Sequence, residues 1–125
     1  MKKVIATKNA PAAIGPYSQA VQVGNMLFAS GQLGLDPATG NFAEGGVKEQ
    51  TVQAFKNVHA ILEEAGLSIN DVVKTTVFLA DMSDFAAMNE VYASQFEGTS
   101  RPVLLSQSRH CEEGLVEIEV IAVKE

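Results

Sequence analysis

The stretch that most restricts the fold is V-E-I-E-V-I-A-V at Val116 to Val123, in which only Glu117 and Glu119 interrupt an apolar run. Side chains alternate between the two faces of a strand, so Ile121 and Val123 share the face of the two glutamates. One face of this strand is therefore fully apolar and the other is partly apolar. A layer is needed on each side of the sheet, and a second copy of the same sheet is the simplest cover for the mixed face.

Other segments predict the remaining strands of that sheet. Apolar and β-branched runs bounded by turn residues are typical of strands and hairpins. These runs are Val4–Thr7, Ala20–Val23 with Met26–Ala29 as a hairpin around Gly24-Asn25, and Val72–Leu79. The prolines and glycine between Asn9 and Pro16 predict an ordered loop between the first two strands.

Two segments have the apolar spacing of amphipathic helices that could cover one face of the sheet. The first runs from Val47 to Ala65, with Gly66 placed to end it. The second follows Ser83, which we predict as its N-cap, and is closed by Gly98. The order of elements predicts an α+β fold with a mixed sheet under two helices.

Composition places the chain among single globular domains. Its 125 residues, 46% apolar and 19% charged, predict one domain over residues 1–125 with one core. The net charge of −6 makes a nucleic-acid partner unlikely, because such binding rests on cationic contacts to phosphates. Cys111 is the only cysteine, no apolar run could span a bilayer, and Met1-Lys2-Lys3 does not open a secretory signal. These features predict a cytoplasmic protein without membrane contact.

No motif indicates a bound cofactor or metal. The sequence lacks glycine-rich phosphate loops, H-E-x-x-H and C-x-x-C. His59, inside the first predicted helix, and His110 are interpreted as a helix-surface and a loop histidine. We expect neither a cofactor nor a metal site.

Five short motifs are spread over nearly the whole chain. They are N-A-P-A-A-I-G-P-Y-S-Q-A at Asn9–Ala20, S-G-Q at Ser30–Gln32, V-V-K-T-T-V-F-L-A-D-M at Val72–Met82, M-N-E-V-Y at Met88–Tyr92 and the final strand. Together they closely resemble the RidA/YjgF family of enamine and imine deaminases. The resemblance implies a chorismate-mutase-like (YjgF-like) fold and a homotrimer with a central β-barrel and clefts between subunits. It also implies cofactor-free hydrolysis of reactive 2-imino and 2-enamino acids, such as 2-iminobutanoate and 2-iminopropanoate, to 2-oxo acids and ammonia.

The resemblance also implies roles for individual residues. Glu119 would orient the hydrolytic water, and Tyr17 would close the cleft. Ser30 and the backbone of Gly31 would hold the substrate, with Asn89 as a weaker candidate near the cleft. Without the resemblance, Glu119 stands out most, because an acid on an apolar strand face must be paired, solvated in a cleft or functional.

The segment Ser100 to Cys111, S-R-P-V-L-L-S-Q-S-R-H-C, departs from the family. The family continues there in a string similar to F-P-A-R-S-A-V-A-V-K-A-L-P. Codons can be chosen for the segment so that, when they are read one nucleotide out of frame, they encode this string. We therefore hypothesise a frameshift, with the original reading frame restored by about Gly114. The arginine that binds the substrate carboxylate in the family then falls on Val103. Arg101 is the nearest cation, two residues earlier, and could take the place of that arginine only with a local shift of the strand. If the segment is the real sequence of the protein, weak or absent deaminase activity is predicted.

Two other functions remain open from the sequence. One is a non-catalytic trimer that binds small carboxylates and acts in regulation. The other is the translation-inhibiting endoribonuclease activity ascribed to some members of the family, which the acidic charge disfavours. We rank the deaminase first and the ribonuclease last.

Overall fold

A computed structural model describes residues 1–109 and 114–125. In these residues the chain forms one seven-stranded sheet and two α-helices. The strands are β1 (Lys2–Ile5), β2 (Ala20–Val23), β3 (Met26–Ala29), β4 (Gln32–Leu33), β5 (Val72–Leu79), β6 (Val103–Ser108) and β7 (Val116–Val123). The helices are α1 (Val47–Glu64) and α2 (Phe85–Gln95). The predicted α+β architecture with two helices is confirmed.

The sheet is mixed, and β7 is at its centre. The strand order is β1-β2-β3-β7-β5-β6, and β4 pairs with β7 next to β3. All pairs are antiparallel except β5 with β6, which are joined by the crossover through α2. Central β7 therefore holds both halves of the sheet together, and its side chains reach both faces.

The two faces of β7 differ as its sequence predicts. Val116, Ile118, Val120 and Ala122 are at most 2% exposed and belong to the core under the helices. Glu117, Glu119, Ile121 and Val123 lie on the other face and are only partly buried. We call this second side of the sheet, with the cross-strand partners of these four residues, the open face. Neither α1 nor α2, the two α-helices of the described residues, covers it.

The helix-covered face is fixed by an aromatic cluster and by one buried amide. The rings of Phe55, Tyr92 and Phe96 have centroids 4.9 to 6.1 Å apart, which joins α1 to α2. Asn57 is fully buried on α1, and its Nδ2 donates to the backbone oxygens of Leu33 at 3.0 Å and Leu35 at 2.9 Å. This amide ties the end of β4 to the helix.

Three predicted boundaries need correction. The first strand starts at Lys2 and ends at Ile5, earlier than the predicted Val4–Thr7. Ser83 is not the N-cap of the second helix; its N–H donates to Asp81 Oδ1 at 2.9 Å, which caps a short 3₁₀ turn before α2. The Asp81 carboxylate thus accepts from a free N–H at the start of the 3₁₀ turn, and α2 begins only after that turn.

Strand β6 was not predicted, because its residues do not alternate as a half-buried strand should. Its backbone nevertheless pairs in parallel with β5, from Val103 beside Lys74 to Ser108 beside Leu79. Val103 and Leu105 face the open side and are 68% and 47% exposed. Ser106 faces the core, and its hydroxyl is buried without a hydrogen-bond partner among the described residues. The predicted loop residues His110 and Cys111 lie outside the described residues.

Candidate functional site

A small pocket on the open face contains the acid that the sequence singled out. It has a volume of about 210 Å³, and we call it the open-face pocket. Its lining consists of Phe28, Ala29, Lys74, Thr76, Glu119, Val120 and Ile121. In the β5–β7 register Glu119 lies opposite Thr76, and Lys74 lies opposite Ile121. The antiparallel pairing therefore brings a carboxylate, a hydroxyl and an ammonium group together between apolar walls.

Glu119 is partly buried in this pocket, and its carboxylate is not used by the fold. Over the residues that the structure describes, no hydrogen bond or ion pair is formed by the side chain. A carboxylate in such a position can accept a proton from a bound water molecule or hold that water by a hydrogen bond. Of the three options for Glu119, the structure therefore argues against a paired acid among the described residues, and its functional role stays a prediction.

Lys74 is the pocket residue that sequence reasoning missed. It lies in the V-V-K-T-T motif, within a strand that is otherwise mostly apolar. The argument that singled out Glu119 applies equally to this lysine, because a charge in a buried strand needs a partner, solvent or a ligand. Its face could not be read from the sequence, since the register of β5 against β7 shifts between Val72 and Lys74.

Ser30 and Gly31 follow β3 and are held by short contacts. The Ser30 N–H donates to the Gln19 backbone oxygen at 2.9 Å, and its hydroxyl donates to the Ser18 oxygen at 2.6 Å. A Cβ atom on Gly31 would lie 2.7 Å from Cδ of Glu117, so a larger residue here would have to displace the end of that side chain. The roles of Ser30 and Gly31 in substrate binding stay predictions.

Glu117 in turn forms an ion pair with Arg109, whose guanidinium lies 4.1 Å from the centre of the Phe78 ring. The pair links the described end of the unusual segment to β7. Arg109 is therefore already engaged by an acid and an aromatic face, and its charge is balanced within the fold.

Tyr17 lies in a second depression, of about 510 Å³, which Gly31 also lines. The ring is 53% exposed, and its hydroxyl accepts from the Ile14 N–H at 3.3 Å. Gln19 shapes this loop: its Oε1 accepts from the Thr7 N–H at 2.7 Å, and its Nε2 donates to backbone oxygens of the loop. Within one chain, Tyr17 and Gly31 share a cleft, but Tyr17 does not line the pocket of Glu119.

Asn89 and Arg101 lie away from the open-face pocket in a single chain. Asn89 is exposed on α2, on the helix-covered side of the sheet. Arg101 is exposed and precedes β6, and its charge acts on the Tyr92 hydroxyl. Burial raises the pKa of Tyr92, and the hydrogen bond to Thr75 and the charge of Arg101 partly offset this rise. Val103, by contrast, lies beside Lys74 on the open face.

The described residues supply no candidate set of metal ligands. In the described ranges, no three His, Cys, Asp or Glu side chains are grouped so that they could hold a metal ion. His59 Nε2 lies 2.9 Å from Gln95 Oε1, a contact between the two helices. No helix among these residues has the length and apolar character needed to cross a membrane.

Comparison with known proteins gives the chain its family. A sequence model of the family described as Endoribonuclease L-PSP, which includes RidA and YjgF proteins, matches residues 7–124. The chain belongs to the RidA/YjgF family. The resemblance drawn from the five motifs is confirmed.

Relatives within the RidA/YjgF family match over essentially the whole chain. A RutC family protein of Pyrococcus horikoshii is 56% identical, with 100% of both chains covered. The 2-iminobutanoate/2-iminopropanoate deaminase of Mus musculus is 52% identical over 99% of this chain and 93% of its own. Among solved structures, Escherichia coli TdcF with bound serine is 42% identical, with a TM-score of 0.93 over 98% of this chain and 99% of its own. The fold is therefore that of the family.

Proposed function

We propose that this chain hydrolyses reactive 2-imino and 2-enamino acids, such as 2-iminobutanoate and 2-iminopropanoate, to 2-oxo acids and ammonia. The observation that carries the proposal is the free carboxylate of Glu119 in the open-face pocket, beside the Thr76 hydroxyl. The deaminase name of the mouse relative, at 52% identity, supports the same reaction.

In the proposed reaction the C=N carbon of the imine lies over Glu119. A water molecule adds to this carbon while Glu119 accepts one of its protons and the nitrogen takes up one from solvent, which gives a tetrahedral amino alcohol. Glu119 then returns its proton to the nitrogen, the hydroxyl group releases its proton to solvent, the C–N bond breaks, and ammonia leaves as the C=O bond forms. The overall balance is one imine plus one water to one 2-oxo acid plus one ammonia. Positioned acid–base catalysis of this kind contributes roughly 10²- to 10⁴-fold in rate.

We also propose that three copies assemble around their open faces. Large apolar side chains on this side are exposed in one chain, among them Met26, Phe28, Val103 and Leu105 at 37 to 68%. Contiguous apolar surface of this kind is usually an interface, and cyclic assemblies bury the same patch on every copy. The open-face pocket would then lie in a cleft between copies, where Tyr17, Ser30 and Gly31 could contribute. Light scattering with size-exclusion chromatography measures the number of copies directly.

The deciding experiment is an imine hydrolysis assay on the wild-type chain and on Glu119→Gln. An amino acid oxidase acting on 2-aminobutanoate supplies 2-iminobutanoate, and semicarbazide traps the imine that is not hydrolysed. We expect the wild-type chain to lower trapping and the glutamine variant to lose at least about 100-fold in rate. Equal rates for the two proteins, or no acceleration over spontaneous hydrolysis by the wild-type chain, would refute the proposal.

A regulatory trimer that binds small carboxylates without turnover is the second candidate. It is favoured by Escherichia coli TdcF, a relative of 42% identity whose structure holds bound serine. Val103 falls where the resemblance implies an arginine, and the loss of that group weakens the case for turnover. Ligand binding without hydrolysis would select it. The ribonuclease reading remains third, because the net charge of −6 opposes RNA binding.

A further inference from the structure

A β-bulge brings Lys74 to the open-face pocket. Val72 lies opposite Ala122, but Lys74 lies opposite Ile121, so β5 has one extra residue at Val73. In an unbulged strand, Val73 would take the place opposite Ile121, and Lys74 would face the helices. Bulges re-aim side chains and are common beside active sites. The bulge therefore places Lys74 in the same pocket as Glu119.

Lys74 shares the open-face pocket with Glu119 but forms no ion pair with it. Its side chain is partly buried in the pocket, and within residues 1–109 and 114–125 it pairs with no acid. Lys48, in contrast, pairs with Glu90 at 2.8 Å, and Arg109 pairs with Glu117. An ammonium group that lines a pocket without an ion pair keeps its N–H donors for solvent or for an anionic ligand. Lys74 is therefore placed to bind an anion that enters the pocket.

The neighbouring position on β6 explains why the lysine would carry the anion alone. Val103 is the β6 partner of Lys74, on the same face, and it is 68% exposed. It cannot donate a hydrogen bond from its side chain. Of the residues that line the open-face pocket, Lys74 is the one cation. A carboxylate bound there would rest on its ammonium group.

On the basis of the function proposed above, we infer that Lys74 binds the substrate carboxylate, as the one cation among the residues that line the open-face pocket. The ammonium group holds one end of the 2-imino acid, and the adjacent C=N carbon then lies toward Glu119, one residue pair further along the sheet. A lysine is a point charge without the planar fork of arginine, so it fixes the carboxylate less rigidly. Binding is therefore weaker, and the pocket accepts a wider range of 2-oxo and 2-imino acids.

Binding of 2-oxobutanoate and of its neutral amide, measured by titration calorimetry, tests this inference. We expect the wild-type chain to prefer the carboxylate and Lys74→Met to bind it about 10- to 100-fold more weakly, because a charge-assisted contact is lost. The amide should bind both proteins alike. Lys74→Arg should keep the preference, and adding Val103→Arg to Lys74→Met should restore it. Lys48→Met, which removes a lysine on α1, is the control and should bind as the wild-type chain does.

The outcomes separate this inference from the proposed reaction. If Lys74→Met binds 2-oxobutanoate as tightly as the wild-type chain, Lys74 is not the anchor, whether or not imines are hydrolysed. If the lysine is required for binding but the wild-type chain hydrolyses no imine, the anchor stands and the deaminase proposal fails. If the wild-type chain binds neither compound and hydrolyses no imine, both are overturned. A failure of Val103→Arg to restore binding, with a folded protein by circular dichroism, would also contradict the geometry.

Discussion

Replacing Ser106, a residue of strand β6, should make this protein more stable. Its hydroxyl faces the core side of β6 and is buried without a hydrogen bond among the described residues. A buried polar group without a partner costs about 1 to 3 kcal/mol. Ser106→Ala removes that group without adding volume, so we expect the free energy of unfolding to rise by about 1 to 2 kcal/mol.

Ser106→Val should raise the free energy of unfolding by at least as much as Ser106→Ala. Two added methyl groups contribute up to about 0.8 kcal/mol each if they are fully buried, and valine is a better strand residue than serine. Steric crowding is limited because β6 is at the edge of the sheet. For a chain of 125 residues, a gain of about 2 kcal/mol corresponds to a rise in melting temperature of roughly 6 to 10 °C.

Urea unfolding at one fixed protein concentration measures the change, since assembly makes apparent stability depend on concentration. Ser108→Ala, at an exposed position two residues along the same strand, is the matched control and should change the unfolding free energy by less than about 0.5 kcal/mol. If Ser106→Ala and Ser106→Val are both less stable than the wild-type chain, while Ser108→Ala is neutral, the reasoning about the unpaired hydroxyl is wrong.

Two further substitutions test contacts on either side of the sheet. Tyr92→Phe keeps the aromatic cluster but leaves the fully buried Thr75 hydroxyl without its 2.7 Å partner, so thermal unfolding should show a loss of about 1 to 3 kcal/mol. The exposed Tyr17→Phe is the control, and an equal loss there would contradict this view. Gly31→Ala should force Glu117 away from its present position, and its cost should largely vanish in a Glu117→Ala background, as a double-mutant cycle would show. Additive losses would mean that Gly31 and Glu117 do not interact.

Most of the fold could be predicted because several elements obey local rules. The hairpin, the strand Val72–Leu79 and the strand Val116–Val123 have the predicted bounds. Each combines a strand-like run with clear turn residues or a continuous core face. Strand β6 was not predicted because its backbone pairing with β5, and not the pattern of its side chains, determines its conformation. Tertiary pairing overrides local preference most easily in such an edge strand.

The candidate site was predicted only where one residue was unusual by itself. Glu119 was found because an acid interrupts an apolar face, and the structure places it in a pocket. Lys74 was missed because a bulge, which no local pattern reveals, determines its face. For Tyr17 and Asn89 the sequence predicts proximity to the site, but a single chain does not bring them to Glu119. The roles predicted for them would require the contacts between copies that we propose above.

The frameshift hypothesis makes a physical prediction about the two faces of β6. The outward positions hold Val103 and Leu105, and an inward position holds the unpaired Ser106. The string that the resemblance implies would put arginine at position 103 and alanine at 105 outward, and serine at 104 and valine at 106 inward. It would give position 106 an apolar side chain, but it would put a hydroxyl where Leu104 now packs against the core. The frameshift therefore stays a hypothesis, and Ser106→Val tests the fit of the implied residue on the core side of β6, while Val103→Arg tests it on the open side.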